Sequence, residues 1–351
     1  MLAMVVKEFR QLRRDRRTLA MMIFLPVLLL VMFGYAASFD VKNIPTVLVG
    51  PGSDANSSLV RAPLRVVGRY PEGGRALAVS RLRDGDAVAA ILTGAGPPMV
   101  LLDGSQLFSA RAAETTLSRE AGSLGAYAAP RVQVLFNPGL KTSAVMVPGL
   151  AGMILAFVGT IITSLGVVRE RQAGTLEQLA VMPFSPWDVI VGKIAPYFLV
   201  GAVDLIVTVG LGVSVFGVPF NGSVATLALG SVLFLFVTLG IGVLISTVSE
   251  NQGQAIQLAL MTLLPQILLS GLIFPVSSMA AGVRWVAYVL PLKYFVDVSR
   301  GVMLRGAPIS ALWQPLLLLG VLGSAVFGLA VLRFRRDLAP GEAKPVIAVP
   351  A

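Results

Sequence analysis

Long apolar runs separated by short polar breaks fill most of this chain, and one early stretch departs from that rhythm. The runs cover residues 18–37, 146–168, 194–216, 224–248, 255–274 and 312–332. Each is near the roughly 20 residues that a helix rising about 1.5 Å per residue needs to cross a hydrocarbon core of about 30 Å. Six transmembrane helices are predicted. Residues 38–145 behave otherwise: apolar runs there are no longer than a strand and are bounded by Gly, Pro and Asp. Segments 46–50, 64–69, 87–92, 99–103 and 132–136 predict strands, and 74–84 and 105–125 predict helices. In the second of these helices Leu107, Ala110, Glu114, Leu117 and Ala121 recur at helical offsets. The fold class expected is an α-helical polytopic membrane protein of six spans with a small mixed α/β extracytoplasmic domain inserted after the first.

The polar breaks set the orientation. Residues 1–17 place Lys7, Arg10, Arg13, Arg14, Arg16 and Arg17 against Glu8 and Asp15, with Leu2, Val5, Val6, Phe9 and Leu12 at helical spacing. This predicts an amphipathic helix in the headgroup layer, and Lys and Arg beside a span hold that end in the cytoplasm. Ala36-Ala37-Ser38 resembles a signal-peptide cleavage site, but the basic region is long and the run after it has full span length, which favours a retained span. Arg333, Arg335 and Arg336 place the tail, 334–351, on the same side. Gly320, Ser324 and Gly328 in the last span form a close-packing stripe.

Two breaks are more than connectors. In residues 169–190, Leu176, Leu179 and Ala180 share one face of a short helix that Pro183 and Pro186 end. Such a knob at the cytoplasmic base of two spans fits a groove on a soluble partner; the bland alternative is a solvated loop. Residues 275–312 lie outside by parity yet carry Arg284, Lys293, Arg300 and Arg305 against Asp297 alone. Their apolar stretch, 283–296, is too short to cross and is cut by Pro291, so a re-entrant or interfacial helix pair is expected.

Composition narrows the chemistry. Of 351 residues 56% are hydrophobic and 13% charged, with a mean hydropathy of +0.82, which excludes a soluble domain of this length. The net charge of +10 marks cytoplasmic loops and contact with membrane lipids, since no basic array interleaved with aromatics suggests nucleic acid. Cysteine and histidine are absent, which removes disulfides, Cys or His metal sites and His general bases. No catalytic or metal-ligating set is expected. Asp204, Gln257 and Gln266 form a candidate intramembrane polar site; a bundle-facing structural role for Asp204 and a proton relay both remain open. No phosphate loop is present: the Gly192-Lys193 pair is followed by Ile194, and Trp187 occupies the position of the first glycine.

At this point the chain resembles a family, the ABC-2 type permeases, membrane subunits of a class of ABC exporters. Arg169-Glu170-Arg171, Gly174-Thr175-Leu176-Glu177-Gln178-Leu179, Pro183 and Gly192-Lys193 resemble its cytoplasmic coupling segment. Ser270-Gly271-Leu272-Ile273-Phe274-Pro275, Pro291-Leu292, Tyr294-Phe295, Arg300-Gly301 and Leu304-Arg305-Gly306 resemble its outer re-entrant segment. The resemblance spans the six-helix layout of the branch with a large domain after the first span. It implies a pair of permeases, from one chain or two related ones, on two cytoplasmic ATPase subunits that hold ATP and Mg; this chain would bind neither. It also implies that Arg169, Glu170, Arg171, Gly174, Thr175, Glu177, Leu179 and Pro183 serve the ATPase contact, and that Pro275, Pro291, Tyr294 and Arg300 shape the outer segment. A lipid, amphiphilic drug or similar substrate would follow the membrane path. From another class, a membrane-anchored binding or assembly protein is the alternative, and the cytoplasmic knob discriminates, since a mere anchor has no use for it.

Overall fold

The computed structural model describes residues 16–36, 41, 43–51, 53, 60, 62–94, 98–124, 130–174 and 186–338. Helices dominate it, as lipid requires of a chain whose backbone N–H and C=O groups find no water. Helix α1, Arg16–Ala36, leads to an α/β region with strands β1 (Ile44–Val49), β2 (Leu64–Tyr70), β3 (Ala89–Leu92), β4 (Met99–Asp103) and β5 (Arg131–Leu135). Helix α2 (Arg75–Asp84) precedes β3, and α3 (Leu107–Leu124) precedes β5.

The sheet order is β2-β1-β3-β4-β5. β1 runs parallel to both β2 and β3, β3 and β4 are antiparallel, and β4 and β5 are parallel. The period of two along each strand divides the core. Leu48, Ile91 and Leu102 pack with Ala110, Ala113 and Leu117 of α3, whereas Val47, Val49, Ala90 and Leu101 pack with Ala78 and Leu82 of α2. A helix therefore covers each face, as a sheet with parallel pairs and near-continuous apolar strands demands.

The remaining helices are α4 (Thr142–Gln172), α5 (Pro186–Ser214), α6 (Val224–Val248), α7 (Gln252–Leu269), α8 (Ala281–Ala287), α9 (Pro291–Arg300) and α10 (Trp313–Leu338). π-helical turns interrupt α4 at Val158–Ile162 and extend α9 over Gly301–Arg305. Among the described residues, four segments are long and apolar enough to cross a membrane: Thr142–Gln172, Ile194–Ser214, Val224–Val248 and Trp313–Arg333. The apolar part of α1, Leu19–Tyr35, is shorter, and α7 carries Gln252, Gln254, Gln257, Gln266 and Pro265.

Several boundaries differ from the sequence expectation for local reasons. The third apolar segment begins at Ile194 as expected, but its helix extends back to Pro186, because proline at a first helical position gives up no needed N–H. The fifth stops at Leu269 instead of 274: Gly271 takes φ +84°, a conformation that ends a helix. The second starts at Thr142, so residues 142–145 belong to a helix and not to the α/β region. Residues 1–15 and 175–185, which include the predicted amphipathic helix and the knob, lie outside the described residues.

Helix packing in lipid depends on close fit, since tails are as apolar as the side chains. Rings supply much of it: Phe234 of α6 stacks on Phe295 of α9 with centroids 4.8 Å apart, and Phe236 of α6 on Phe327 of α10 at 4.3 Å. A Cβ at Gly152 of α4 would overlap Phe295 and Leu292, so that glycine admits α9 into the bundle. Within this chain the Gly320, Ser324, Gly328 stripe is not the seam between α6 and α10. Nothing lies within 4 Å of where a Cβ at Gly320 or Gly328 would sit, and α10 instead meets α6 through Gly323, against Phe236 and Val237. The buried positions Leu316, Leu319, Gly323, Phe327 and Ala330 mark the true inner face.

Candidate functional site

The segment expected to meet the ATPase, residues 169–190, begins at the end of α4. Arg169 and Arg171 lie in its last turn, where cations offset the negative end of the helix dipole, and Gly174 at φ +73° lets the chain leave the helix. The Arg171 guanidinium donates to the carbonyls of Ser246 at 2.8 Å and Ser249 at 3.1 Å. Ser246 O is among the last carbonyls of α6, which lack intrahelical partners, so Arg171 caps that helix from outside. Beside it, Gln252 Nε2 donates to Gln172 Oε1 at 3.0 Å. The turn between α6 and α7 is itself held by a reciprocal cap: Asn251 Oδ1 accepts from Gln254 N–H, and Gln254 Oε1 accepts from Glu250 N–H. Glu170 extends from the same last turn of α4. Thr175, Glu177, Leu179 and Pro183 fall outside the described residues.

At the opposite end of the bundle the 275–312 segment forms two short helices, α8 and α9. Pro275 precedes a single 3-10 turn, Val276–Ser278, and Pro291 occupies the first position of α9. The Tyr294 hydroxyl donates to the carbonyl of Tyr288, fixing the corner between the helices, and Lys293 pairs with Asp297 at 2.8 Å. Arg300 is the centre of the segment. It is 8% exposed, and it donates through Nε to Val145 O at 3.1 Å and through its two terminal nitrogens to Gly271 O at 3.0 Å and Leu272 O at 3.3 Å. One guanidinium thus clamps the start of α4 to the end of α7, which the planar donor fork of arginine suits and a lysine would not.

Two further contacts fasten this segment to its surroundings, and sequence reasoning assigned neither. Asn221, in the turn between α5 and α6, donates through Nδ2 to Leu304 O at 2.8 Å and through its backbone N–H to Met303 O at 3.0 Å. Arg305 approaches Asp103, at the end of β4, to 3.7 Å, with both side chains buried. Burial holds the Asp103 carboxyl above its ordinary value, against the pull of Arg305 and of the Ser105 hydroxyl and N–H. Asp103 is legible only as the polar end of a strand, and nothing near it in the chain announces a partner 202 positions later.

The proposed intramembrane polar residues do not converge. Asp204 is half-buried near the middle of α5 with no hydrogen bond among the described residues. Gln257 and Gln266 lie nine positions apart on α7, which at about 100° per residue puts them on opposite sides of that helix. Gln266 is buried and donates to Thr262 O at 3.3 Å, while its Oε1 has no partner. Among the described residues no group of three carboxylates is placed to hold a metal.

Known proteins are similar to most of this sequence. A family model described as ABC-2 family transporter protein matches residues 16–332. The probable multidrug ABC transporter permease YbhS of Escherichia coli K12 is 30% identical over 334 residues, 87% of this chain and 88% of its own. The probable multidrug ABC transporter permease YbhR of the same strain is 27% identical over 362 residues, covering 95% and 98%. The inner membrane transport permease YhhJ of that strain is 34% identical over 214 residues, covering 58% and 54%. With the family model matching residues 16–332, this chain belongs to the ABC-2 type transporter permeases.

Proposed function

We propose that this permease is the membrane subunit of an ATP-driven exporter for an amphiphilic small molecule or lipid, paired with a second permease and seated on two cytoplasmic ATPase subunits that bind ATP and Mg. In this reading α1, α4, α5, α6, α7 and α10 are the six crossings, both chain ends are cytoplasmic, and the α/β region is outside. The multidrug designation of YbhS and YbhR supports the substrate class.

One observation carries the mechanism: Arg171 binds Ser246 and Ser249. A push on the coupling segment would then reach α6 and α7 as well as the two helices that the segment joins. At the far end Arg300 ties α4 to α7, so those two helices are held to each other above and below. Closure of the ATPases would tilt them as a unit, a rigid-body step of the kind that opens alternate faces.

The test is the double substitution Glu177→Arg with Leu179→Asp in the full chain, purified with its ATPase. Loss of ATPase co-purification and of transport-linked ATP hydrolysis is expected. Retention of both would remove residues 175–180 from the contact.

A further inference from the structure

The basic end of the bundle contains a two-lobed crevice, one wall of which holds the Arg171–Ser249 contact. One lobe, of about 790 Å³, lies between α6, α7 and α10 and is lined by Ile241, Leu244, Val248, Leu258, Leu329 and Leu332. The other, of about 820 Å³, adjoins the start of α1 at Ala20 and Met21 and is lined by Arg171, Ser249, Glu250, Gln254 and Arg333. The lobes share Val248, Leu258 and Arg333. Each has the size of a ligand pocket, about 300–1,000 Å³. An apolar slot thus opens into a polar mouth, with a guanidinium where they meet.

The mouth selects its occupant by charge. Arg333 is exposed and has no hydrogen-bond or ion-pair partner among the described residues. Arg171 adds a second positive charge and Glu250 one negative. In the sequence, Arg16 and Arg17 precede Ala20, and Arg335 and Arg336 follow Arg333. The chain's own first 15 residues are a poor filler, because Lys7, Arg10, Arg13 and Arg14 outnumber Glu8 and Asp15 and like charges repel. A long apolar slot ending in excess positive charge complements an acyl chain that carries an anionic headgroup.

We propose that this crevice is a binding site for an anionic membrane lipid, its acyl chain between α6 and α10 and its headgroup phosphate at Arg333. The site requires only that the chain be embedded in a bilayer, so it does not rest on the transport reading, and its failure would leave that reading untouched.

The test uses the purified full chain in nanodiscs of neutral lipid, doped with phosphatidylglycerol or phosphatidylcholine bearing the same acyl diazirine, followed by photolysis and peptide mapping. Phosphatidylglycerol is expected to label peptides 241–248 and 329–332 in clear excess over phosphatidylcholine. Arg333→Gln should cut that excess about fivefold, the worth of one cation at an anionic headgroup, and Arg333→Lys should retain it. Leu244→Trp, which fills the slot, should abolish labelling by both lipids. Equal labelling by the two lipids identifies ordinary boundary lipid and overturns the proposal. So does labelling that Arg333→Gln leaves unchanged, or a cross-link showing residues 1–15 in the slot.

Discussion

Replacing Arg300 by methionine tests whether one buried guanidinium holds the outer ends of α4 and α7 together. Methionine preserves most of the side-chain volume and removes all three donated bonds, to Val145, Gly271 and Leu272. A bond from a charged donor is worth about 1.5–3 kcal/mol, so the gross loss is about 4–9 kcal/mol. Against this, the variant no longer buries a cation, a cost of several kcal/mol in the wild type. The three carbonyls stay buried without donors, which keeps the balance unfavourable, and a net destabilisation of about 2–4 kcal/mol is expected. At about 2–4 °C per kcal/mol for chains of 150–250 residues, the melting temperature should fall by about 5 °C or more. The assay is thermal unfolding of the purified chain in detergent at one fixed scan rate, since membrane proteins commonly unfold irreversibly. Hydrogen exchange supplies a local readout: amides from 268 to 275 and from 142 to 148 should exchange faster in Arg300→Met, with the sheet unaffected. Arg300→Lys should fall between the two, as a point charge reaches one or two of the carbonyls. A melting temperature within 1 °C of wild type, with unchanged exchange at both segments, would refute the clamp.

Three more expectations follow from other contacts. Arg171→Met removes two bonds to the end of α6 and should cost about 1–3 kcal/mol; in the proposed complex it should lower transport-linked ATP hydrolysis while the ATPase still co-purifies, and unchanged hydrolysis would separate Arg171 from force transmission. Asp103 has a raised folded pKa because of burial, so the folded state holds its proton longer than the unfolded state does. Its contribution to stability is therefore greatest below the ordinary Asp value and declines as pH rises through the raised one. The melting-temperature difference between wild type and Asp103→Asn should shift against the wild type over that window, and a flat difference would contradict it. Asp204→Asn removes a half-buried carboxyl side chain from mid-helix, where Asp costs about 2.5–3.5 kcal/mol on insertion scales; a higher melting temperature with transport unchanged is expected, and loss of transport by the folded variant would give the side chain a working role.

The sequence by itself determined what depends on neighbours a few residues away. Apolar run lengths located α4, α5, α6 and α10, because crossing lipid is a matter of length and hydrophobicity along one segment. Alternation and turn residues located β1 to β5, and Pro291 marked the start of α9, because proline acts on its own backbone. The coupling and outer motifs then drew attention to Arg171 and Arg300. What those two side chains hold was decided only by tertiary structure. Arg300 donates to Val145, 155 positions earlier in the chain, and Arg171 to Ser246, 75 positions later; carbonyls carry no side-chain signature, so the sequence could name each donor but not its acceptors. The inner face of α10 shows the same division. Small residues at Gly320, Ser324 and Gly328 signal that a close approach is permitted, whereas Gly323 is the one that meets Phe236, because the rotation of a helix is fixed by the partner surface it must fill.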